Sequence, residues 1–184
     1  MEEIRFHGRG GQGSVVASKI LAVAVAKEGK YIQAFPEFGV ERRGAPVAAF
    51  IRINDDQIYE KSKIYEPDHI VVLDPTLLNA VNVTEGLKEG GWVIINTERE
   101  PKDIPIKGNY RIATIDATSI AVNHRLGSKT APIVNTAILG AVVKVLKICS
   151  LESLEEAVRE QAPVKKDENV AAAREAYEKA KGGE

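Results

Sequence analysis

The residues with the clearest chemical use lie near the start of the chain, in Gly8-Arg9-Gly10-Gly11-Gln12-Gly13. Glycines at this spacing let a backbone reverse sharply and approach whatever sits above it. Before them, Ile4 and Phe6 alternate with polar residues as a half-buried strand does. After them, Ser14 to Lys27 is almost all Val, Ala, Ile and Leu, and Gly29 supplies a C-terminal stop. Strand, glycine turn and helix open a βα unit, and the first amides of such a helix point unpaired toward the turn. That geometry suits an anion or a polar cofactor group. It also suits a tight contact with a neighbouring protein, or a turn that only lets helix and strand pack closely.

Gly8-x-Gly10-x-x-Gly13 meets the dinucleotide fingerprint literally. The fingerprint also needs an acid at the end of the second strand to hold the ribose hydroxyls. The expected second strand is Tyr31 to Phe35, whose polar position is Gln33. The nearest acid, Glu37, follows Pro36 in a loop, and no arginine for a 2′-phosphate stands at that strand end. NAD and NADP are therefore disfavoured. A P-loop is excluded, because no Gly-Lys-Ser/Thr follows the glycines.

A second cluster runs from Pro36 to Pro46 and includes Glu37, Phe38, Gly39, Val40, Glu41, Arg42, Arg43 and Gly44. Prolines and glycines break regular structure there, while arginines and aromatics crowd between them. Such side chains are enriched at buried contacts, so the loop is expected to bind something rather than merely connect. The single Cys149 cannot hold an iron–sulfur cluster, a cysteine-based zinc site or a disulfide. His7, His69 and His124 lack metal-ligand spacing, and no nucleophile–base pair stands out. The expected catalytic and metal-binding sets are both empty.

These residues must be held by the rest of the chain. With 184 residues, 44% hydrophobic and 28% charged, the composition is that of one soluble globular domain spanning 1–184. A net charge of −1 argues against a nucleic-acid face. No apolar run reaches membrane-span length and the start, Met1-Glu2-Glu3-Ile4, is acidic, so a cytoplasmic location is expected. Val47 to Ile53 alternates, Asn54-Asp55-Asp56 signals a turn, and Gln57 to Glu60 can return as the second arm of an antiparallel hairpin. Ile70 to Leu73, Trp92 to Asn96 and Tyr110 to Ile115 read as buried strands. Asp74 ends the first of these on the side where open α/β sheets bind ligands, although capping a helix opened by Pro75 is the simpler use. Helices are expected over Leu77 to Leu87, from Asp116 to Leu126, from Thr136 to Ile148 with Asn135 as N-cap, from Ser150, and from Asp167 to Lys181. Gly140 inside the third of these predicts that another backbone packs against it. Alternating strands and helices predict an α/β fold: a three-layer sandwich with a mostly parallel sheet, a Rossmann-like first βα unit and one antiparallel hairpin.

Taken together, Ile4-Arg5-Phe6-His7-Gly8-Arg9-Gly10-Gly11-Gln12-Gly13, the segment Ala34-Phe35-Pro36, and Gly39 to Val47 resemble the gamma subunit of 2-oxoacid:ferredoxin oxidoreductases. Ile70 to Asp74, Gly90-Gly91 and Asn135 with Leu139-Gly140 fall in that family's order, so the resemblance covers essentially the whole chain. Arg43-Gly44-Ala45-Pro46 looks like the pyruvate and 2-oxoisovalerate branch. The resemblance implies one subunit of an enzyme that oxidatively decarboxylates a 2-oxoacid, passing the acyl group to coenzyme A and electrons to ferredoxin. It further implies thiamine diphosphate on alpha and beta subunits, iron–sulfur clusters on a delta subunit, and a gamma subunit that packs against them and helps form the coenzyme A region. On that basis the candidate coenzyme-binding residues are Gly8, Arg9, Gly10, Gly11, Gln12, Gly13, Arg42, Arg43, Gly44 and Asn135. A freestanding nucleotide-binding module and a purely structural subunit are the alternatives. The former would bind a nucleotide tightly on its own.

Overall fold

A computed structural model of the chain describes residues 1–37 and 43–182. Six strands form one sheet: β1 (Glu2–Arg9), β2 (Tyr31–Pro36), β3 (Pro46–Asn54), β4 (His69–Val72), β5 (Trp92–Asn96) and β6 (Arg111–Ile115). Their spatial order is β2-β3-β1-β4-β5-β6. The pairs β1/β4, β4/β5 and β5/β6 are parallel, whereas β3 runs antiparallel to both β1 and β2. The sheet is thus mostly parallel with one reversed strand, as expected of the α/β class. The helices are α1 (Ser14–Ala26), α2 (Leu77–Ala80), α3 (Ala117–Asn123), α4 (Ala137–Leu146), α5 (Leu151–Gln161) and α6 (Lys166–Lys179).

Side-chain alternation along the strands divides the core in two. Ile4 and Phe6 of β1, Ile51 of β3, Val71 of β4 and Ile94 of β5 face the side that carries α1 and α3 to α6. Ile70, Val72, Val93 and Ile95 face the other way, under Leu77 of α2 and the connecting residues Val83, Leu87 and Ile104. The three layers are therefore unequal: five helices on one side, and one helical turn with connecting segments on the other.

The antiparallel hairpin joins β2 to β3, and residues 57–60 do not return as a strand. The reason is the buried guanidinium of Arg52, which is only 2% exposed. It donates to Glu3 Oε1 (2.7 Å), Gln33 Oε1 (2.8 Å) and the Ser62 carbonyl (2.7 Å), while Gln33 donates to the Glu60 carbonyl (2.8 Å). These bonds draw 57–64 across the face of the sheet, where Ile64 packs with Ala48 and Phe50. The helix expected over Leu77 to Leu87 stops after one turn, because Val81 is extended (φ −141°, ψ 157°) and the apolar Val83 and Leu87 then fold down onto β4 and β5. Helix α3 ends at Asn123 rather than Leu126, where Arg125 takes a positive φ of 58°. Asp116 caps it as expected, accepting from the Ser119 amide at 2.9 Å.

Helix α4 buries eight of its ten residues, and α6 of the same chain covers it. At Gly140 a Cβ would fall on the Ala173 carbonyl oxygen and lie 2.8 Å from the Tyr177 amide nitrogen, so the two helices meet backbone to backbone. Gly140→Ala should therefore force them apart and lower stability by about 1–3 kcal/mol, read as a fall in Tm of about 2–4 °C per kcal/mol. Cys149 is 8% exposed and burial pushes its thiol up to about 12. A thiol-specific disulfide reagent should modify it far more slowly in the native subunit than in guanidinium, since only the thiolate attacks.

Candidate functional site

Parallel neighbours β1 and β4 send their connections opposite ways. The chain leaves β1 through α1 toward β2, and leaves β4 through α2 toward β5. A crevice must open between their C-terminal ends, the place where open α/β sheets bind ligands. Here it is a cleft of about 400 Å³, lined by Arg9, Gly10, Gly11, Gln12, Arg43 and Gly44 on one side. Leu73, Asp74, Asn96, Thr118 and residues 130–134 complete it.

Most of the candidate residues converge there. Gly8 and Arg9 end β1, paired with Val47 and Pro46 of β3. The Gly10 amide donates to the Ala45 carbonyl (2.9 Å) and the Gly44 amide to the Gly10 carbonyl (3.0 Å), joining the two expected loops side by side. Arg43 is exposed at that junction, and Gly10 and Arg43 form a parallel bridge. Arg42 lies outside the described residues, as do Phe38, Gly39, Val40 and Glu41.

Gly13 begins α1 in a left-handed conformation (φ 82°), and a Cβ there would lie 2.6 Å from Asn135 Nδ2. Both facts require glycine. Asn135 is thereby the brace beneath the loop and not the N-cap of α4. Helix α4 starts at Ala137 after a Thr136 cap, and Asn135 Oδ1 accepts the Thr136 amide (2.9 Å). Asn135 does not line the cleft, so it reaches the site through Gly13.

Arg9 departs from the role of a free phosphate binder. Its Nε donates to Asp74 Oδ2 (3.2 Å) and Thr76 Oγ1 (3.3 Å), Nη1 to the Gly44 carbonyl (3.0 Å) and Nη2 to Thr76 Oγ1 (2.8 Å). Gln12 Nε2 donates to the same Asp74 oxygen (2.9 Å), and Gln12 Oε1 accepts from the Arg9 amide (2.7 Å). Asp74 also accepts from the Thr76 amide (2.9 Å) and hydroxyl (2.6 Å). Burial pushes the Asp74 carboxyl up, but the bonds from Thr76 and Gln12, with the Arg9 charge, outweigh it and hold the carboxyl below its ordinary value. Asp74 is therefore an ionised anchor for the glycine loop rather than the cap of α2, whose N-cap is Thr76. Its one sequence signal was an acid at the C-terminal end of a central strand. Asn96 and Thr118, also missed, form a second tie: Asn96 Nδ2 donates to the Leu73 carbonyl (2.9 Å) and to Thr118 Oγ1 (3.0 Å).

Among the described residues, no group of three or more His, Cys, Asp and Glu could hold a metal ion. Burial, with Arg5 beside it, lowers His7 to about 3, so its ring is neutral and accepts from Arg5 Nε (2.9 Å). His69 and His124 pair with Glu2 (3.1 Å) and Glu175 (2.6 Å) away from the cleft. No helix of the described residues is long and apolar enough to cross a membrane. Among the described residues the lining holds two arginines against one aspartate, a balance that suits an anion. Ile133 (47% exposed) leaves apolar surface in its lining.

A family model described as pyruvate ferredoxin/flavodoxin oxidoreductase matches residues 3–179. The chain is 56% identical over 183 residues to the pyruvate/ketoisovalerate oxidoreductases common subunit gamma of Thermococcus litoralis, covering 97% of each. It is 53% identical over 182 residues to the pyruvate synthase subunit PorC of Methanothermobacter marburgensis, covering 98% of each. The crystal structure of pyruvate oxidoreductase subunit PORC from Thermotoga maritima superposes with a TM-score of 0.83 at 40% identity, covering 100% of this chain and 98% of that one. The chain belongs to the pyruvate ferredoxin/flavodoxin oxidoreductase family, as a gamma subunit of a pyruvate/ketoisovalerate:ferredoxin oxidoreductase.

Proposed function

We propose that this gamma subunit supplies one wall of the coenzyme A region of its complex, with the cleft between β1 and β4 as that wall. The carrying observation is that the glycine loop and the Arg43-Gly44 loop are hydrogen-bonded side by side at the one crevice the sheet topology opens, with a net positive lining. Coenzyme A is a polyanion whose pyrophosphate suits the amides at the start of α1, and whose phosphates suit the exposed Arg43 fork. A volume of about 400 Å³ accommodates part of so large a molecule and leaves the rest to other chains. The exposed Ile133 in the cleft lining fits closure by a partner surface.

The relative named as common to pyruvate and ketoisovalerate oxidoreductases favours the same assignment. A subunit serving two acyl groups belongs at the cosubstrate both reactions share, away from the pocket that reads the acid. In this reading alpha and beta subunits hold thiamine diphosphate, and a delta subunit carries the iron–sulfur clusters. Ferredoxin accepts the electrons from the assembled complex in the cytoplasm. Arg43 is exposed, so Arg43→Ala should leave folding and assembly intact. It should raise KM for coenzyme A by roughly ten- to hundredfold, the equivalent of about 1.5–3 kcal/mol for one lost charge-assisted hydrogen bond. The assay is coenzyme A-dependent dye reduction by the purified complex with pyruvate and with 2-oxoisovalerate. An unchanged KM together with unchanged assembly refutes the assignment.

A further inference from the structure

The cleft contains two arginines with opposite surroundings. All three nitrogens of the Arg9 guanidinium donate to acceptors of the chain itself, and its charge is balanced by Asp74. Arg43 is exposed beside Gly44. Asp74 itself receives four hydrogen bonds from three residues that belong to two different connections: Arg9 and Gln12 of the turn after β1, and Thr76 after β4. Arg9 carries the linkage on to the Gly44 carbonyl of a third connection. One carboxylate, 14% exposed, thus lies at the centre of the bonds that join the three loops around the crevice. Among the described residues, no other acid lines the cleft.

We infer that Asp74 is a positioning residue for the ligand of this cleft: its carboxylate fixes Arg9 and Gln12, and through them sets the glycine loop so that Arg43 and the α1 amides, rather than Arg9, meet the anion. The inference rests on the coenzyme A assignment above and deepens it. Arg9 acts as a strut in this arrangement. Released from Asp74, its guanidinium would carry an unbalanced charge into the cleft, and Gln12 would lose the acceptor that holds its amide.

The test turns on a sign. Asp74→Asn keeps the side-chain shape and removes one negative charge from the floor of an anion site. If Asp74 is only a nearby charge, its removal strengthens the attraction for a polyanion and lowers KM for coenzyme A. If Asp74 positions the loop, KM for coenzyme A rises by about five- to twentyfold while KM for the 2-oxoacid does not follow. Both are measured on the purified complex by coenzyme A-dependent dye reduction.

Thr76→Val, at an exposed position, withdraws the hydroxyl shared by Asp74 and Arg9 without touching the charge. It should raise the same KM by about two- to fivefold, and it carries the test should Asp74→Asn fail to assemble. A lowered or unchanged KM in Asp74→Asn, with KM raised in Arg43→Ala, overturns the positioning role and leaves the coenzyme A assignment standing. If Asp74→Asn fails to assemble, an unchanged KM in Thr76→Val overturns it in the same way. Unchanged KM in both Asp74→Asn and Arg43→Ala overturns the two together.

Discussion

Two parallel strands whose connections diverge leave a gap that side chains must bridge, and that gap governs the arrangement of this chain. At the C-terminal ends of β1 and β4 the backbone turns away on both sides, so neither connection can cover the other. The loops are joined instead by charge: the Arg9 guanidinium and the Asp74 carboxylate, 3.2 Å apart, span the crevice. An ion pair this near the surface adds little on its own. Its weight comes from the further bonds to Gln12, Thr76 and the Gly44 carbonyl, which share the same two groups and convert a salt bridge into a frame.

The sequence expresses this frame unevenly. Strands and helices with one apolar face are legible, because burial is written into spacing: β5 runs from Trp92 to Asn96 as alternation and composition require, and α1 follows the glycine turn directly. Gly140 foretells its close neighbour because a helix interior otherwise has little use for glycine. The misreadings cluster where a tertiary partner overrides local preference. Residues 57–60 follow a turn signal and could return as a strand, yet the buried Arg52 and its partner Gln33 capture the carbonyls of Ser62 and Glu60 and hold that segment across the sheet. Asn135 has the composition of a cap and serves as a brace, a use visible only once Gly13 lies against it.

The same holds within the site. The glycine and arginine loops carry recognisable residues, so their involvement is readable. That they lie side by side follows from the pairing of β1 with β3, which no local pattern fixes. Arg9 illustrates the limit well. Its residue type suits phosphate recognition, and nothing nearby in sequence shows that an aspartate 65 positions away occupies it. The chain is one subunit of an oxidoreductase, and among its described residues no group of three or more His, Cys, Asp and Glu could hold a metal ion.

The backbone contact at Gly140 has a consequence in time. Helix α4 completes its burial only against α6, whose last residue is Lys179 in a chain of 184. While the chain is still being synthesised, α4 has no cover and its apolar surface waits on residues not yet made. That layer of the core therefore closes only once α6 has been made and has docked.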